Sequence, residues 1–394
     1  MNAALDPSLV ITPALQSRLP RVGTTIFTVM SALAAEKGAV NLGQGFPDFE
    51  CDPALPDAVT AAMKSGFNQY PPMAGVPALR AAIAAKIAKL YGHAYDPNSE
   101  ITITAGATQA ILTSVLCCVH PGDEVIVIEP VYDSYVPAIE LAGGKPVFVP
   151  MTLTANGYAV PWDKVGSAIT PKTRLIMVNS PHNPTGSILR PADLTALAAL
   201  VRGTQILILS DEVYEHMVYD GQQHESVCRH PELAARAFVV SSFGKTYHVT
   251  GWKIGYVAAP ASLSAEFRKV HQFNVFTVNT PVQHAVAAYM ADPRPYLELP
   301  AFYQKKRDLF RDGLKGSRFR MLPADGTYFQ CVDYSGISDL PEAEFASWLT
   351  SEIGVAAIPV SAFHDTPRES GVVRFCFAKK DETLRLALER LAKI

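Results

Sequence analysis

"AFVVSSFGKTYHVTGWKIGY", Ala237–Tyr256, opens as an apolar run, passes two serines and reaches Lys245 beside a glycine, with a second lysine at Lys253. A continuous apolar run, rather than an alternating one, predicts a strand buried on both faces. The same pattern recurs on either side. "ITITA" (101–105), "EVIVIEP" (124–130), "TRLIMVNSP" (173–181), "QILILSD" (205–211) and "IGYVAAP" (254–260) are all short apolar runs. Helix-like segments such as "TQAILTSVLCCV", "YDSYVPAIELAG" and "ADLTALAALV" separate the earlier ones. Buried strands alternating with helices predict an α/β fold with a mostly parallel central sheet flanked by helices.

Beyond Ser262 the pattern changes. One long helical stretch is predicted to about Met290, broken by Asp292-Pro293 and Pro295. "TYFQCVDY", "VAAIPV" and "VVRFCFA" then read as short strands, and "DETLRLALERLAKI" as a closing amphipathic helix. With 394 residues the chain exceeds the ~250–300 at which one core stops growing. The division expected is a large domain over 46–290 and a smaller α+β domain from 1–45 together with 291–394.

Net charge is −3, from 34 basic and 37 acidic residues, which argues against a nucleic-acid footprint or a basic membrane surface. No apolar run approaches the ~18–20 residues of a membrane span. The N-terminus, "MNAALDPSLVITPALQSRLP", has no basic region followed by an apolar run and is not read as a secretory signal. The six cysteines form no C-x-x-C pair, and none has a histidine at ligand spacing. Reduced core thiols in a cytoplasmic protein, with no metal, are expected.

Three readings of Lys245 compete. Gly244-Lys245-Thr246 resembles the end of a P-loop, but Val239 stands where the required earlier glycine belongs. Ser242-Phe243-Gly244-Lys245 fits S-x-x-K, yet no S-D-N or K-T-G occurs, and the serine ends a strand instead of starting a helix. Third, a lysine partly withdrawn from water loses basicity and can form an imine with a cofactor aldehyde. That chemistry needs a carboxylate for a pyridinium nitrogen and a cradle for a phosphate.

Residues elsewhere offer both. Asp211 ends the "QILILS" run, where α/β proteins bind ligands, although it could equally cap a helix over "DEVYEH". "TAGATQA" places Gly106, Ala107 and Thr108 at a helix N-terminus, a natural phosphate site or simply a tight turn. Asn183 in "NSPHNPTG" precedes a proline and could donate to a phenolate oxygen, or only shape an Asn-Pro turn. Arg374, inside "VVRFCFA", needs a partner, either a substrate carboxylate or a structural acid. "GQGFPD" (43–48) lacks the third glycine of a dinucleotide fingerprint. His93, His216, His224, His230 and His284 are scattered and read as surface or packing residues, and "QKKRDLFRD" (304–312) as a solvated helix face.

Taken together and in order, "NSPHNPTG", "SDEVYEH", "SSFGKTYHVTGWKIGY" and "VRFCFA" resemble the class I/II aminotransferases, pyridoxal phosphate enzymes of the aspartate-aminotransferase fold (fold type I). "NLGQGFPDF" and "NQYPPMAGVPALRAAIA" look like the methionine aminotransferase and kynurenine–oxoglutarate (glutamine) transaminase subgroup. The resemblance runs from about Ile26 to the C-terminus. It implies Lys245 as the Schiff-base lysine, Asp211 as the acid on the pyridine nitrogen, and Tyr214 and Asn183 on the ring phenolate oxygen. Tyr132 would stack on the ring. The phosphate would lie on Gly106, Ala107, Thr108, Ser242 and Lys253, where many relatives carry arginine at the last position. Tyr70 would reach it from a partner subunit, implying a homodimer with a shared site. Arg374 would grip the substrate α-carboxylate, with Asn183, Gly45 and Phe27 also at the substrate.

The implied reaction is ping-pong transfer of an amino group from an amino acid to a 2-oxo acid. "HQFNVFTVNTPVQ" (271–283) has no arginine, where dicarboxylate-specific relatives carry one. Phe27, Tyr70, Tyr132 and Phe276 would wall an apolar pocket for methionine, aromatic amino acids or kynurenine, and for glutamine. A C–S lyase using the same cofactor is the alternative. A pyridoxal-phosphate-binding regulator is disfavoured, since only some 40 residues precede "NLGQGFPDF", with no helix-turn-helix pattern.

Overall fold

The computed structural model describes residues 15–154, 157–366 and 368–394. Seven strands form the main sheet: β1 (Ile101–Thr104), β2 (Glu124–Glu129), β3 (Lys145–Pro150), β4 (Thr173–Asn179), β5 (Leu207–Asp211), β6 (Ala237–Ser242) and β7 (Gly255–Ala258). Their order is β1-β7-β6-β5-β4-β2-β3. Only β7 runs antiparallel to its neighbours.

The apolar runs are continuous because both faces are covered. Ile126, Ile128, Ile176, Val178, Ile208 and Val239 pack into one core. Their neighbours Val125, Val127, Leu175, Met177, Leu209 and Val240 pack into another on the opposite face. The helix Gly106–Cys118 covers the second face above β5, β6 and β7.

Two sequence expectations need correction. β3 was not anticipated: it lies at the sheet edge, is half-exposed along most of its length and begins and ends near prolines, so its pattern is weak. The long helix expected to Met290 is two helices, Ala261–Asn274 and Thr280–Tyr289. The break falls at Phe276, whose φ of 69° lies in the left-handed region a helix cannot accommodate.

A second, antiparallel sheet comprises β8 (Arg320–Met321), β9 (Phe329–Asp333), β10 (Ile358–Pro359) and β11 (Val372–Cys376), ordered β8-β9-β11-β10. Its core gathers Met30 and Leu42 from the N-terminal part, Tyr303 and Phe310 from the helix Leu299–Leu314, and Leu384 from the helix Asp381–Leu391. Val40–Asn41 pairs in parallel with Val355–Ala356. The stretch 304–312 is no plain solvated face. Lys306 and Arg307 are buried, Arg307 on Asp220 at 2.6 Å and Lys306 on Asp381 at 3.0 Å. Sequence alone cannot supply these partners, because both are distant in the chain, Asp220 in a turn and Asp381 at the start of the closing helix.

A buried polar network joins β6 and β7 to the helix Pro77–Tyr91. Glu215 Oε1 accepts from Lys86 at 2.6 Å, Ser241 at 2.7 Å and Tyr256 at 3.1 Å, while Tyr91 donates to its other oxygen. Burial would raise this carboxyl, but Lys86 and His216 hold it below the ordinary range. The network also draws in His216, and His224 binds Glu212 at 2.9 Å, so these two histidines are packing residues. Removing Lys86 would strand a buried carboxylate. Lys86→Met is expected to destabilise the protein by about 3–5 kcal/mol in chemical denaturation. A loss below about 1 kcal/mol would show the pair to be dispensable.

Candidate active site

The parallel strands deliver small polar residues to one edge. Asn179 ends β4 and faces Asp211, which ends β5; Ser242 ends β6. Ligands in α/β folds bind beyond the carboxyl ends of such strands. A cavity of about 330 Å³ opens there, and residues of β9 and β11 close its far side.

Lys245 enters this cavity from a single helical turn, Phe243–Thr246, that follows β6 directly. Its Nζ donates to Tyr328 Oη at 3.0 Å and Gly45 O at 3.4 Å. Burial pushes its pKa down to about 8; Cys376 and Asp211 oppose the shift, while the charges of Lys253 and Arg374 add to it. Asp211 is 4% exposed, and burial raises its carboxyl to about 6. Its Oδ2 accepts from Tyr135 Oη at 2.6 Å and its Oδ1 from the Val213 N–H at 3.2 Å. No helix follows Asp211, so it does not act as a helix cap; the segment is a turn. Tyr214 is buried in this turn, its ring 5.1 Å from that of Tyr328.

Gly106 opens the helix Gly106–Cys118 at φ 75°. A Cβ there would lie 3.4 Å from Lys253 Nζ, which brings this amine over the helix N-terminus. Ala107, Thr108, Tyr132 and Ser242 line the same space. Asn183 Oδ1 accepts from Arg374 Nη1 at 2.7 Å, and Arg374 Nη2 donates to Gly43 O at 3.0 Å. The guanidinium sits 3.9 Å from the Phe329 ring centre and 5.4 Å from that of Phe27. Arg374 is 1% exposed, and among the described residues no carboxylate pairs with it. Its Nε is buried with no hydrogen-bond partner. The structural ion pair held open by the sequence is therefore absent.

Within one chain the cavity gathers Lys245, Asp211, Tyr214, Asn183, Tyr132, Gly106, Ala107, Thr108, Ser242, Lys253, Arg374, Gly45 and Phe27. It does not gather Tyr70 or Phe276. Tyr70 is 81% exposed and meets only the edge of Phe276, 5.3 Å away, beside a separate surface groove. Neither therefore lines the cavity of its own chain. Tyr135, Tyr328, Phe329 and Asp133 were not singled out. Tyr135 opens the helix Tyr135–Leu141 three residues after Tyr132, which lies before that helix. Tyr328 and Phe329 lie within the strand-like "TYFQCVDY", where nothing local distinguishes a site residue from a core one.

All six cysteines are free, and no metal-binding cluster occurs among the described residues. No described helix is long and apolar enough to cross a membrane.

The sequence matches the family "Aminotransferase class I and II" over residues 37–391. It is 50% identical over 380 residues to methionine aminotransferase of Escherichia coli (strain K12), covering 96% of this chain and 98% of that protein. It is 34% identical over 407 residues to kynurenine–oxoglutarate transaminase 1 of Mus musculus, covering 95% and 96% respectively. Among solved structures, YbdL from Escherichia coli, identified with a methionine aminotransferase function, aligns with a TM-score of 0.95 at 49% identity, covering 97% of this chain and 100% of that one. Aminotransferases of this family and fold use pyridoxal phosphate, and it is the cofactor of this enzyme too. The chain belongs to the class I and II aminotransferases and has their fold type I architecture.

Proposed function

We propose that this aminotransferase takes its amino group from an apolar, sulfur-containing or aromatic L-amino acid, with methionine favoured, and passes it to a 2-oxo acid. The observation that carries the reading is Arg374: a buried guanidinium that pairs with no carboxylate among the described residues, Asp133 acting on it only across the cavity it shares with Lys245 and Asp211. Such a group is matched by a substrate carboxylate. Apart from Arg374, the residues lining the cavity include no arginine, and Phe27, Phe46, Tyr132 and Phe329 contribute aromatic surface. A second carboxylate on the substrate would find no guanidinium from this chain.

The residues present fit the cofactor. The Lys253 amine and the Gly106–Cys118 helix N-terminus converge on one point, as a phosphate requires. Gly106, Ala107, Thr108, Ser242 and Lys253 would hold the phosphate. Asp211 would hold the ring nitrogen, Tyr214 and Asn183 the phenolate oxygen, and Tyr132 the ring face. When bound, pyridoxal phosphate supplies an aldehyde for the amino group and a ring that draws electrons from the substrate α-carbon. Lys245 would carry the proton between that carbon and the cofactor C4′. Arg374 would orient the substrate, with Gly45 and Phe27 beside it.

The exposed Tyr70 suits a second subunit better than its own, so we read the active unit as a homodimer in which Tyr70 reaches the partner's phosphate site. We take 46–290 as the cofactor domain, 1–45 with 291–394 as the smaller one, and the cytoplasm as the location suited to six free thiols. The test is spectroscopic. Adding methionine to the purified holoenzyme should bleach its visible band to the pyridoxamine form, and a 2-oxo acid should restore it. Aspartate far outrunning methionine would refute the substrate class. Pyruvate and ammonia released from a thioether amino acid without any acceptor would favour the C–S lyase instead.

A further inference from the structure

Tyr135 is the first residue of the short helix Tyr135–Leu141 and is 4% exposed. Its hydroxyl donates to Asp211 Oδ2 at 2.6 Å. Its ring meets that of Tyr132 edge-on, with centroids 5.7 Å apart at 86°. Among the described residues, the only other donor to the Asp211 carboxylate is the Val213 N–H, on Oδ1 at 3.2 Å. One side chain therefore touches two groups proposed to hold the cofactor ring, one at its nitrogen and one at its face.

We infer that Tyr135 is a positioning residue: its hydroxyl fixes the Asp211 carboxylate and keeps it ionised against the ring nitrogen, while its ring edge seats Tyr132. The inference rests on the role proposed for Asp211. The physical need is clear from the surroundings. Burial works against a charged carboxylate here, and Glu212 adds a like charge. Lys245, on the turn after β6, is the cation that opposes them. Tyr214 and Tyr132, which also face Asp211, carry no charge at neutral pH because burial and Asp211 itself raise their phenols. Beside Lys245 and the Val213 N–H, the Tyr135 hydroxyl is thus the side-chain donor that holds the proton off Asp211. Loss of one hydrogen bond to an ion shifts a titration by about one to two pH units.

The experiment compares wild type, Tyr135→Phe, Asp211→Asn and a protein carrying 3,5-difluorotyrosine at position 135. Each is reconstituted with ring-¹⁵N pyridoxal phosphate, and cofactor affinity is also measured against pH. In wild type the nitrogen should resonate at its protonated position at neutral pH. Tyr135→Phe keeps the packed ring but removes the donor. Its nitrogen resonance should move toward the unprotonated position, and the acid limb of the affinity profile should rise by about one pH unit. The fluorinated phenol is a stronger donor in the same space, so that limb should fall. This variant retains the hydroxyl and the packing, so it decides the matter even if Tyr135→Phe folds poorly. Unchanged nitrogen shifts and unchanged limbs in both position-135 variants, with Asp211→Asn altering the shift, would overturn the inference and leave the Asp211 role standing. No change in Asp211→Asn would overturn both.

Discussion

Lys245→Ala is expected to lose multiple-turnover transamination by about four orders of magnitude while remaining folded. The argument begins with position. β6 ends at Ser242, and one helical turn carries Lys245 into the cavity that Asp211, Asn183 and Arg374 also line. No other lysine of the chain lines this cavity except Lys253, whose amine lies over the Gly106 turn, where a phosphate suits it. A substitute base is therefore not at hand. The chemistry adds a second readout. An amine is nucleophilic only when neutral, and burial has brought Lys245 down to about 8 from the ordinary 10.5. The rate at which apo-protein attaches pyridoxal phosphate should therefore rise with pH through about 8 and level off above it. Because the folded-state pKa is lowered, the neutral form gains as pH increases, and below the inflection the ammonium dominates. Near wild-type turnover in Lys245→Ala, or an inflection near 10.5 in the wild-type apo-protein, would remove Lys245 from the proposed role. Folding is expected to survive because the hydrogen bond linking Tyr328 to Gly45 O remains when the lysine is gone.

The strands that carry this site were legible because their environment is uniform. A strand covered on both faces must be apolar at every position, so β4, β5 and β6 stand out as unbroken runs, and the polar residue at each end marks where the sheet stops. β3 escaped because an edge strand feels no such constraint. The break at Phe276 escaped because a phenylalanine carries no local signal for a positive φ. Site residues divide in a similar way. Lys245, Asp211 and Arg374 are conspicuous, since a charge inside or beside an apolar run demands a reason. Tyr135 and Tyr328 demand none, because tyrosine is an ordinary core residue, and only the distances to Asp211 and Lys245 reveal what their hydroxyls do. For Asp211 the sequence left two readings open, and the turn that follows β5 removes the helix-cap one. For Arg374 the decision came from an acid that is missing, which no sequence can display.

That missing acid shapes the second large effect. Arg374 lies on β11, paired across the sheet with Cys331 and Ile358, so its backbone is held by neighbours on both sides. Phe329 lies against one face of the guanidinium, and Asn183 and Gly43 take two of its hydrogens. Both of those acceptors are neutral, and the acid acting on the guanidinium is Asp133, which lines the same cavity without pairing with it. Burial accordingly lowers its affinity for the proton, although an arginine remains charged. Removing one partner of a buried, hydrogen-bonded charge pair costs roughly 2–5 kcal/mol, so Arg374→Met should lower kcat/KM for methionine by about 10³-fold. Lysine should not rescue it, because a point charge on a flexible stem cannot reproduce the planar fork. The decisive comparison uses methionine and the corresponding amine, which lacks the carboxylate. Wild type should prefer the amino acid strongly. In Arg374→Met, activity toward the amine should be little changed, and the preference should collapse. If activity toward both substrates fell equally, Arg374 would be holding the cavity in shape rather than reading a carboxylate. The buried, unpartnered Nε would then need another explanation.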